Sequence, residues 1–365
     1  MTKKAVTVRI AVALAMAVTA LVAPLSFQST APQADAAVTR ASSGPAFGAQ
    51  FHGTWANMTD AQRDRVLTQL KNAGASWVRI DLGWTAIQPT RGKFDMRWGV
   101  PFVDKVLNMA HHRGLKVLVM FWQTPKWASG SSDTHKLPRN MNDYAKAIKF
   151  AANRWRTQVQ AWQVWNEPNT RDFLNPPSAS NYTRLLKAAY PAVKAGNPRA
   201  QVVFGGTMYI DTKFIAKAYA AGAKGKFDVM AVHAYQGNAA LGPEASDRYD
   251  EYRMVYTAAL IKLMRQKGDG GKKIWFTEFG WPTHGNTRST PIWDRGVSEK
   301  TQAAYLVRTL KMLKSRFPQV TTVFWYNSHD RSSGTKSART QGLMRRNLSP
   351  KPALAALKCY LRGCR

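Results

Sequence analysis

Val159–Thr170 reads VQAWQVWNEPNT, an apolar run that stops at Asn166, Glu167 and Pro168. The first part of this run is rich in valine and tryptophan, which favour a buried β-strand. Proline has no backbone N–H for a further ladder hydrogen bond, so we expect the strand to end where the glutamate emerges. The segment therefore predicts a carboxylate at the C-terminal end of a strand.

A second segment has the same design. Lys272–Thr283 reads KKIWFTEFGWPT and places Glu278 shortly before Gly280 and Pro282. Two carboxylates at strand ends suit acid/base chemistry at the rim of a barrel. The alternative interpretation is that each glutamate forms only a salt bridge at that rim.

Strand and helix patterns alternate along the rest of the chain. Eight apolar strand patterns are each followed by an amphipathic helix pattern, which favours parallel pairing. The predicted strands are Ala46–His52, Ser76–Gly83, Lys116–Trp122, Val159–Trp165, Gln201–Gly206, Phe227–Tyr235, Lys273–Phe279 and Val320–Tyr326. Eight such units in roughly 300 residues indicate an α/β fold of the closed (β/α)8 TIM-barrel type. Glu167 then ends the fourth strand and Glu278 the seventh, on facing sides of the barrel mouth.

An open, doubly wound sheet is the alternative fold. Such a sheet normally carries a glycine-rich phosphate loop. The sequence contains neither a G-x-G-x-x-G motif nor a P-loop lysine motif, so the barrel is preferred.

The first 36 residues have the pattern of a secretory signal. Lys3, Lys4 and Arg9 form a basic start, Ile10–Leu25 is apolar, and Ala34–Ala36 is a small-x-small cleavage site,. An uncleaved membrane anchor is the alternative. We therefore expect a signal peptide at 1–36, one barrel domain at 37–365 and a secreted protein.

The chain is strongly basic. Its formal net charge is +32, from 53 Lys and Arg against 21 Asp and Glu, and the excess is spread along the sequence. Such a surface attracts polyanions such as acidic polysaccharide, an anionic cell envelope or, without specificity, nucleic acid. General solubility is the alternative, and no motif for specific nucleic-acid binding is present.

Two cysteines, Cys359 and Cys364, lie near the C-terminal end of the sequence. In an exported protein this spacing is compatible with a local disulfide. No histidine lies near enough in sequence to complete a zinc site. Neither a metal nor a cofactor is implied.

The WNEP and TEFGWP segments resemble the acid/base and nucleophile strands of clan A glycoside hydrolases. The resemblance covers essentially the whole mature chain and includes further motifs at Val78–Asp81, Trp84–Pro89, Gly92–Asp95, His233–Tyr235, Trp325 and Pro350–Ala353. The W-x-x-I-x-P and G-x-F-D pair is similar to family 39-like enzymes. Family 5 is the second choice, because its usual histidine after strand three is replaced by Phe121–Pro125.

The resemblance implies a retaining glycosidase acting on a polysaccharide or oligosaccharide, with Glu167 as acid/base and Glu278 as nucleophile. Arg79 would hold Glu278 ionised, and apolar surroundings would raise the pKa of Glu167. The candidate substrate-binding residues are Arg79, Asn166, His233, Tyr235, Trp325, His52 and Trp84. Among them, Trp325 is expected to form the floor under the cleaved sugar. The enzyme is expected to be a monomer.

Loops after strands build the catalytic face of a barrel, and the last of them is basic. The residues that make it so are Arg331, Lys336, Arg339, Arg345 and Arg346. We expect this loop to favour an acidic or cell-surface glycan, with solubility as the alternative role. A noncatalytic glycan-binding or envelope-binding barrel is the main alternative function, although it would not require both glutamates.

Overall fold

The computed structural model describes residues 44–246 and 250–364. The predicted signal segment at 1–36 lies outside these residues. Within the described ranges, no helix combines the length and the apolar character needed to cross a membrane.

The strands are β1 Ala46–Gln50, β2 Trp77–Gly83, β3 Lys116–Trp122, β4 Val159–Val164, β5 Gln201–Val203, β6 Thr207–Met208, β7 Met230–His233, β8 Ile274–Phe279 and β9 Val320–Trp325. They form one parallel sheet in the order β5-β4-β3-β2-β1-β9-β8-β7-β6. A bridge between Val203 and Val229 joins its two ends. Because β5 and β6 are two pieces of one barrel strand, the sheet closes as the predicted (β/α)8 barrel.

Helices follow each barrel strand and cover the outside of the sheet. They are α1 Asp60–Asn72, α2 Trp84–Ile87, α3 Gly99–His112, α4 Lys126–Ser129, α5 Met141–Arg154, α6 Ala179–Gly196, α7 Thr212–Ala220, α8 Thr257–Gln266, α9 Glu299–Arg316, α10 Lys336–Thr340 and α11 Pro352–Arg362. Short 3-10 turns occupy Asp250–Tyr252, Met254–Tyr256 and Ile292–Asp294. Side-chain caps begin several helices: Thr59 accepts from the Gln62 amide at α1, and Ser298 from Thr301 at α9,.

The fifth and sixth barrel strands pair over fewer residues than the sequence predicts. β5 ends at Val203 rather than Gly206, because Gly206 adopts a left-handed φ of 57° that breaks the extended backbone,. β7 covers only Met230–His233 of the predicted Phe227–Tyr235. Both interruptions lie beside the catalytic face, where irregular backbone re-aims side chains.

Side chains fill the barrel lumen in two layers. The lower layer is an apolar cluster of Trp77, Leu118, Ala161, Val203, Val229, Ala231, Trp275 and Phe324. Toward the C-terminal ends of the strands, buried polar residues replace it, among them Gln50, Arg79, Gln163 and Glu278. A larger apolar core lies between the barrel and the helices. In the described barrel the lower layer is apolar, so the polar residues that could form a site lie at the upper end of the lumen,.

Candidate active site

Arg79 on β2 lies at the centre of the polar layer. Its side chain is 1% exposed. Nη1 donates to Glu278 Oε1 and to Gln50 Oε1, each at 2.6 Å, and Nη2 donates to Asn166 Oδ1 at 2.8 Å. A buried guanidinium needs a compensating anion, and Glu278 supplies it. Arg79 thereby fixes the positions of side chains from β1, β8 and the end of β4.

Glu278, near the end of β8, is held at both carboxylate oxygens. Arg79 contacts Oε1, and the Tyr235 hydroxyl donates to Oε2 at 2.7 Å. Burial alone would raise the pKa of Glu278, but the charges of His233 and Arg79, with the Tyr235 hydrogen bond, outweigh it and lower that pKa,. These contacts therefore favour the ionised form of the carboxylate.

Glu167 follows β4 in a constrained backbone. Its φ is 37° and that of Trp165 is 72°, both in the left-handed region that costs about 1 kcal/mol for a side-chain-bearing residue. The Glu167 N–H compensates by donating to the carbonyls of Gly205 and Gly206, each at 3.1 Å. These contacts turn the Glu167 carboxyl into the barrel mouth.

The surroundings of Glu167 shift its proton affinity in the opposite direction to that of Glu278. Burial is the largest influence and raises its pKa. His233, with Nδ1 at 2.5 Å from Glu167 Oε1, lowers it in part, and the nearby charge of Glu278 raises it again. The net pKa is above the ordinary value, so Glu167 retains its proton more readily.

The two carboxylates and His233 form one compact group. One oxygen from each glutamate and one His233 ring nitrogen all lie within 4.8 Å of one another. Such a triad has donor atoms for a metal ion, but Arg79 already contacts Glu278 with a positive charge, which disfavours a cation there. The spacing is close to the 5–5.5 Å or so that separates the carboxyl groups of retaining glycosidases.

The remaining predicted residues on β1, β4 and β7 also meet at this site. His233 is fully buried, and its Nε2 has no hydrogen-bond partner among the described residues. Both His233 and Tyr235 reach the glutamates, so they share the lumen side. His52 lies on the cavity wall with Nδ1 at 2.9 Å from Asp81 Oδ1. Asn166 lines the same cavity.

Two predicted binding residues lie elsewhere. Trp325 is fully buried behind the barrel wall, where its indole N–H donates to the Gln341 carbonyl at 2.7 Å. Trp84 is also fully buried, and its N–H donates to Gln88 Oε1 at 2.7 Å. The prediction that these tryptophans touch substrate is therefore wrong. Both belong to the apolar core between sheet and helices.

Tyr326 takes the place expected of Trp325. Phe324 points into the lower lumen, so alternation sends Trp325 outward and returns Tyr326 to the cavity,. Its ring centroid lies 6.5 Å from that of Tyr235. Counting alternation from Phe324 would have found Tyr326, but a strand that is apolar on both faces does not reveal which face is which.

A cavity of about 520 Å³ opens beside Glu278. Sequence reasoning missed several of its wall residues: Gln50, Trp55, Asp81, Trp98, Phe173 and Tyr326. Asp81 lies two residues after Arg79, and Gln50 lies two residues before His52. Because residues two apart share one face of a strand, strand period could have indicated that Asp81 and Gln50 face the lumen. Trp55, Trp98 and Phe173 lie outside the strands, where no strand period applies.

A separate exposed aromatic patch lies on the Glu167 side. Tyr252, Ile292 and Trp293 are 41%, 49% and 55% exposed and line a recess of about 230 Å³ with Tyr209. Burial first, and the charge of Glu167 second, raise the pKa of Tyr209 to about 12. The backbone of Tyr209 forms a bridge with that of His233, whose Nδ1 contacts Glu167, so the patch adjoins this carboxyl. Aromatic residues therefore line both the cavity beside Glu278 and the recess beside Glu167.

At the other end of the chain, Cys359 and Cys364 form the expected disulfide, next to the C-terminal end of α11. The bridge lies far along the chain from the cavity residues. It closes a loop of only a few residues, so its effect on stability is local.

A closed (β/α)8 barrel with glutamates after its fourth and seventh strands defines the class of clan A glycoside hydrolases, as the sequence resemblance implies. The family model for cellulases, glycosyl hydrolase family 5, matches residues 36–331. The chain therefore belongs to glycosyl hydrolase family 5, the second of the two families that its motifs resemble.

Curated relatives and solved structures agree with this class. The chain is 31% identical over 133 residues to endo-1,4-beta-xylanase 1 of Gibberella zeae, covering 35% of this chain and 36% of that protein. It is 31% identical over 151 residues to endo-1,4-beta-xylanase A of Fusarium oxysporum, covering 40% and 43%. The matches thus span about two fifths of each xylanase or less.

The fold is shared with enzymes of both resembled families. A family 39 glycoside hydrolase from Bacteroides cellulosilyticus superposes with a TM-score of 0.69 at 23% identity, covering 87% of this chain and 64% of that one. GH5_18 from Streptomyces cattleya, in complex with GlcNAc, gives 0.65 at 19% identity, covering 87% and 80%. At these identities the similarity concerns the fold alone.

Proposed function

We propose that this protein is a secreted retaining glycoside hydrolase that cleaves O-glycosidic bonds of a polysaccharide or oligosaccharide. The observation that carries the proposal is the glutamate pair within 4.8 Å, in which the pKa of Glu167 is raised and that of Glu278 is lowered. One group is thus suited to hold a proton and the other to stay ionised, which double displacement requires. Family 5 membership supports the same reaction class.

In the first step, a Glu278 oxygen bonds to the anomeric carbon as the bond to the leaving oxygen breaks. Glu167 gives its proton to that oxygen, so the aglycone departs neutral. In the second step, Glu167 takes a proton from water, whose oxygen attacks the same carbon and releases Glu278. Two inversions retain the anomeric configuration.

The neighbouring residues have supporting roles in this scheme. Arg79 and Tyr235 orient the Glu278 carboxylate. Asn166 accepts from Arg79 through Oδ1, which turns its amide N–H groups toward the position of a sugar 2-hydroxyl. His233 holds Glu167 in place. A 2-hydroxyl contact that strengthens as charge develops lowers the barrier itself.

The two sides of the glutamate pair suggest how a glycan lies. The cavity beside Glu278 would hold the glycone, and the patch of Tyr209, Tyr252, Ile292 and Trp293 would hold the leaving part by packing on apolar sugar faces. The names of the two xylanases refer to a β-linked substrate, 1,4-beta-xylan. We take a β-linked glycan, acidic or attached to a cell surface, as the substrate of a monomeric, exported enzyme with its signal at 1–36.

A noncatalytic glycan-binding barrel is the alternative. It would need the aromatic surfaces but not a pair of carboxylates with opposite pKa shifts. Burying two glutamates beside each other costs free energy. A binding protein has no need for such a pair, whereas a retaining glycosidase does, so the enzyme is favoured.

The decisive experiment measures hydrolysis of a panel of neutral and acidic β-glycans by the purified protein, with Glu167→Gln and Glu278→Gln beside it. We expect Glu278→Gln to abolish cleavage of every substrate. Glu167→Gln should cost about 10²–10⁴-fold on natural glycans and much less on aryl glycosides, whose leaving group needs no proton. Circular dichroism checks that both variants fold. Glycan binding without cleavage by the unaltered protein would overturn the proposal.

A further inference from the structure

The last loop, 327–348, carries five basic residues, and the structure separates one from the others. Arg345 pairs with Glu299 at 2.6 Å, and Lys336 donates to the Gly285 carbonyl at 3.1 Å. Arg339 and Arg346 are exposed. Arg331 alone among the five lines the cavity that contains Glu278. The loop therefore presents one cation to a bound glycan.

Arg331 is held in place by aromatic contacts. Its Nη1 donates to the Tyr326 hydroxyl at 2.7 Å, and its Cζ lies 4.5 Å from the centroid of the Trp55 ring. Both neighbours also line the cavity. These contacts orient the guanidinium but leave its charge uncompensated, because a ring face and a neutral hydroxyl supply only partial negative charge.

The guanidinium has unused donor capacity. Nε is buried without a hydrogen-bond partner, and no carboxylate lies within ion-pair distance of Arg331 in the described part of the chain. A buried N–H without an acceptor costs free energy that a ligand oxygen would recover. By contrast, Arg79 and Arg345 each have an acidic partner, Glu278 and Glu299 respectively.

Besides Glu278, which Arg79 and Tyr235 already hold, the cavity is lined by one further acidic residue of the described chain, Asp81, and its carboxylate is also satisfied. Asp81 Oδ1 accepts from Gln50 Nε2 at 3.3 Å and contacts His52 Nδ1, and its Oδ2 accepts from Trp55 Nε1 at 2.7 Å. The far ring nitrogen of His52, Nε2, is buried and has no hydrogen-bond partner within residues 44–246 and 250–364. The cavity wall therefore offers a ligand the unpaired donor of Arg331, while the carboxylate of Asp81 is fully engaged by protein donors.

The position of Arg331 places it on the glycone side. It contacts Tyr326, which neighbours Tyr235, and Tyr235 contacts the nucleophile Glu278. We propose that Arg331 binds an oxyanion on the glycone, either the carboxylate of a uronic acid or a sulfate ester, and thereby selects acidic glycans. The proposal rests on the proposed function and names the residue that would confer that preference.

The test uses matched substrates that differ only in charge. Oligosaccharides containing uronic acid are compared before and after reduction of the carboxyl to an alcohol, and sulfated ones before and after desulfation. We expect kcat/KM to favour one charged member by about tenfold or more, the size of one charge-assisted hydrogen bond. The pair that shows the preference identifies the oxyanion.

Variants assign the preference to this residue. Arg331→Gln should reduce the charged-to-neutral ratio to near one, and Arg331→Lys should restore part of it. Arg339→Gln removes the same charge from the same loop at an exposed position and should keep the ratio. The inference is overturned if the unaltered protein cleaves charged and neutral substrates with equal kcat/KM, or if its preference for the charged substrate persists in Arg331→Gln. Neither result would contradict glycosidase activity.

The inference can also be tested apart from catalysis. Glu167→Gln keeps the Arg79–Glu278 ion pair and should bind the charged oligosaccharide more tightly than its neutral partner in calorimetry. If no glycan is cleaved but this difference remains, the proposed reaction fails and the anion site stands. If glycans are cleaved but charged and neutral oligosaccharides bind equally well, the proposed reaction stands and the anion site fails.

Discussion

At the scale of single residues, the difference in pKa between Glu167 and Glu278 depends on which groups contact each carboxyl oxygen. Glu278 has a donor on both oxygens, Arg79 on one and Tyr235 on the other. Glu167 has His233 on Oε1 and the Glu278 charge nearby. Two chemically identical side chains thus have pKa values shifted in opposite directions, and a pH profile of activity should report both pKa values.

We expect kcat/KM to follow a bell-shaped pH profile. Activity is lost on the acid side when Glu278 takes up a proton and on the alkaline side when Glu167 loses one. Since the pKa of Glu278 is lowered and that of Glu167 raised from the ordinary 4.5, the acid limb lies below that value and the alkaline limb above it. An optimum bounded on both sides below pH 4.5 would contradict the assignment.

Tyr235→Phe tests the assignment of the acid limb to Glu278, because it removes only the hydroxyl that donates to this carboxylate. Loss of the hydroxyl makes the Glu278 carboxylate easier to protonate, so the acid limb should move to higher pH while the alkaline limb stays. We expect kcat to fall about tenfold, as for loss of one hydrogen bond to a charged group. Tyr190→Phe removes a comparable contact, Tyr190 Oη to Asp228 at 3.2 Å, and should leave the profile unchanged.

At the scale of elements, the break between β5 and β6 positions Glu167. Gly205 and Gly206 accept from the Glu167 N–H, and a Cβ on Gly206 would lie 2.6 Å from His233 Nε2 and 2.8 Å from Thr277 Oγ1. The backbone at this break thus approaches the site as closely as a glycine permits. The interruption in the barrel strand is part of the site.

Gly206→Ala should therefore impair activity as well as stability. Its φ of 57° adds left-handed strain of about 1 kcal/mol, and the methyl group displaces His233 from Glu167. We expect kcat to fall at least about tenfold, by analogy with loss of a positioned acid. Thermal unfolding and steady-state kinetics provide the two readouts.

Gly225→Ala is the matched control. Gly225 has φ 72°, and a Cβ there would meet nothing within 4 Å. It should lower the free energy of unfolding by about 1 kcal/mol through the same strain and leave kcat unchanged. Equal losses of kcat in both variants would show that the break between β5 and β6 does not position the site.

At the scale of the whole molecule, the net charge of +32 is the dominant physical property. Charges spread over a surface raise the local concentration of a polyanion, and salt screens this attraction over about 8 Å at physiological ionic strength. Binding at the cavity is short-range and less screened. Attraction to the polymer and cleavage of the bond should therefore respond differently to salt.

We expect the affinity for an acidic polysaccharide to fall at least about tenfold between 20 and 200 mM salt, as for other multivalent charge contacts. Cleavage of a small neutral glycoside should change less than about twofold over the same range. Binding to a neutral polysaccharide of equal length is the control. A salt-independent affinity for the acidic polymer would assign the basic surface to solubility alone.

The sequence by itself determined the order of strands and helices, the closed barrel and the two glutamate-bearing strands. These follow from local patterns: apolar runs, proline stops and eight repeated units, each of which is read within a few residues. The resemblance of its motifs to clan A glycoside hydrolases indicated Arg79, His233 and Tyr235, and strand period placed His233 and Tyr235 on the same face.

Only the tertiary structure decided which aromatic and basic side chains reach the cavity. Trp325 and Tyr326 are neighbours, and which one faces inward depends on strand pairing that shifts register between β8 and β9. Arg331 differs from Arg339 only in what the folded loop brings beside it, namely Tyr326 and Trp55. The physical reason is that burial and charge environment arise from segments far apart in sequence, which no local pattern records.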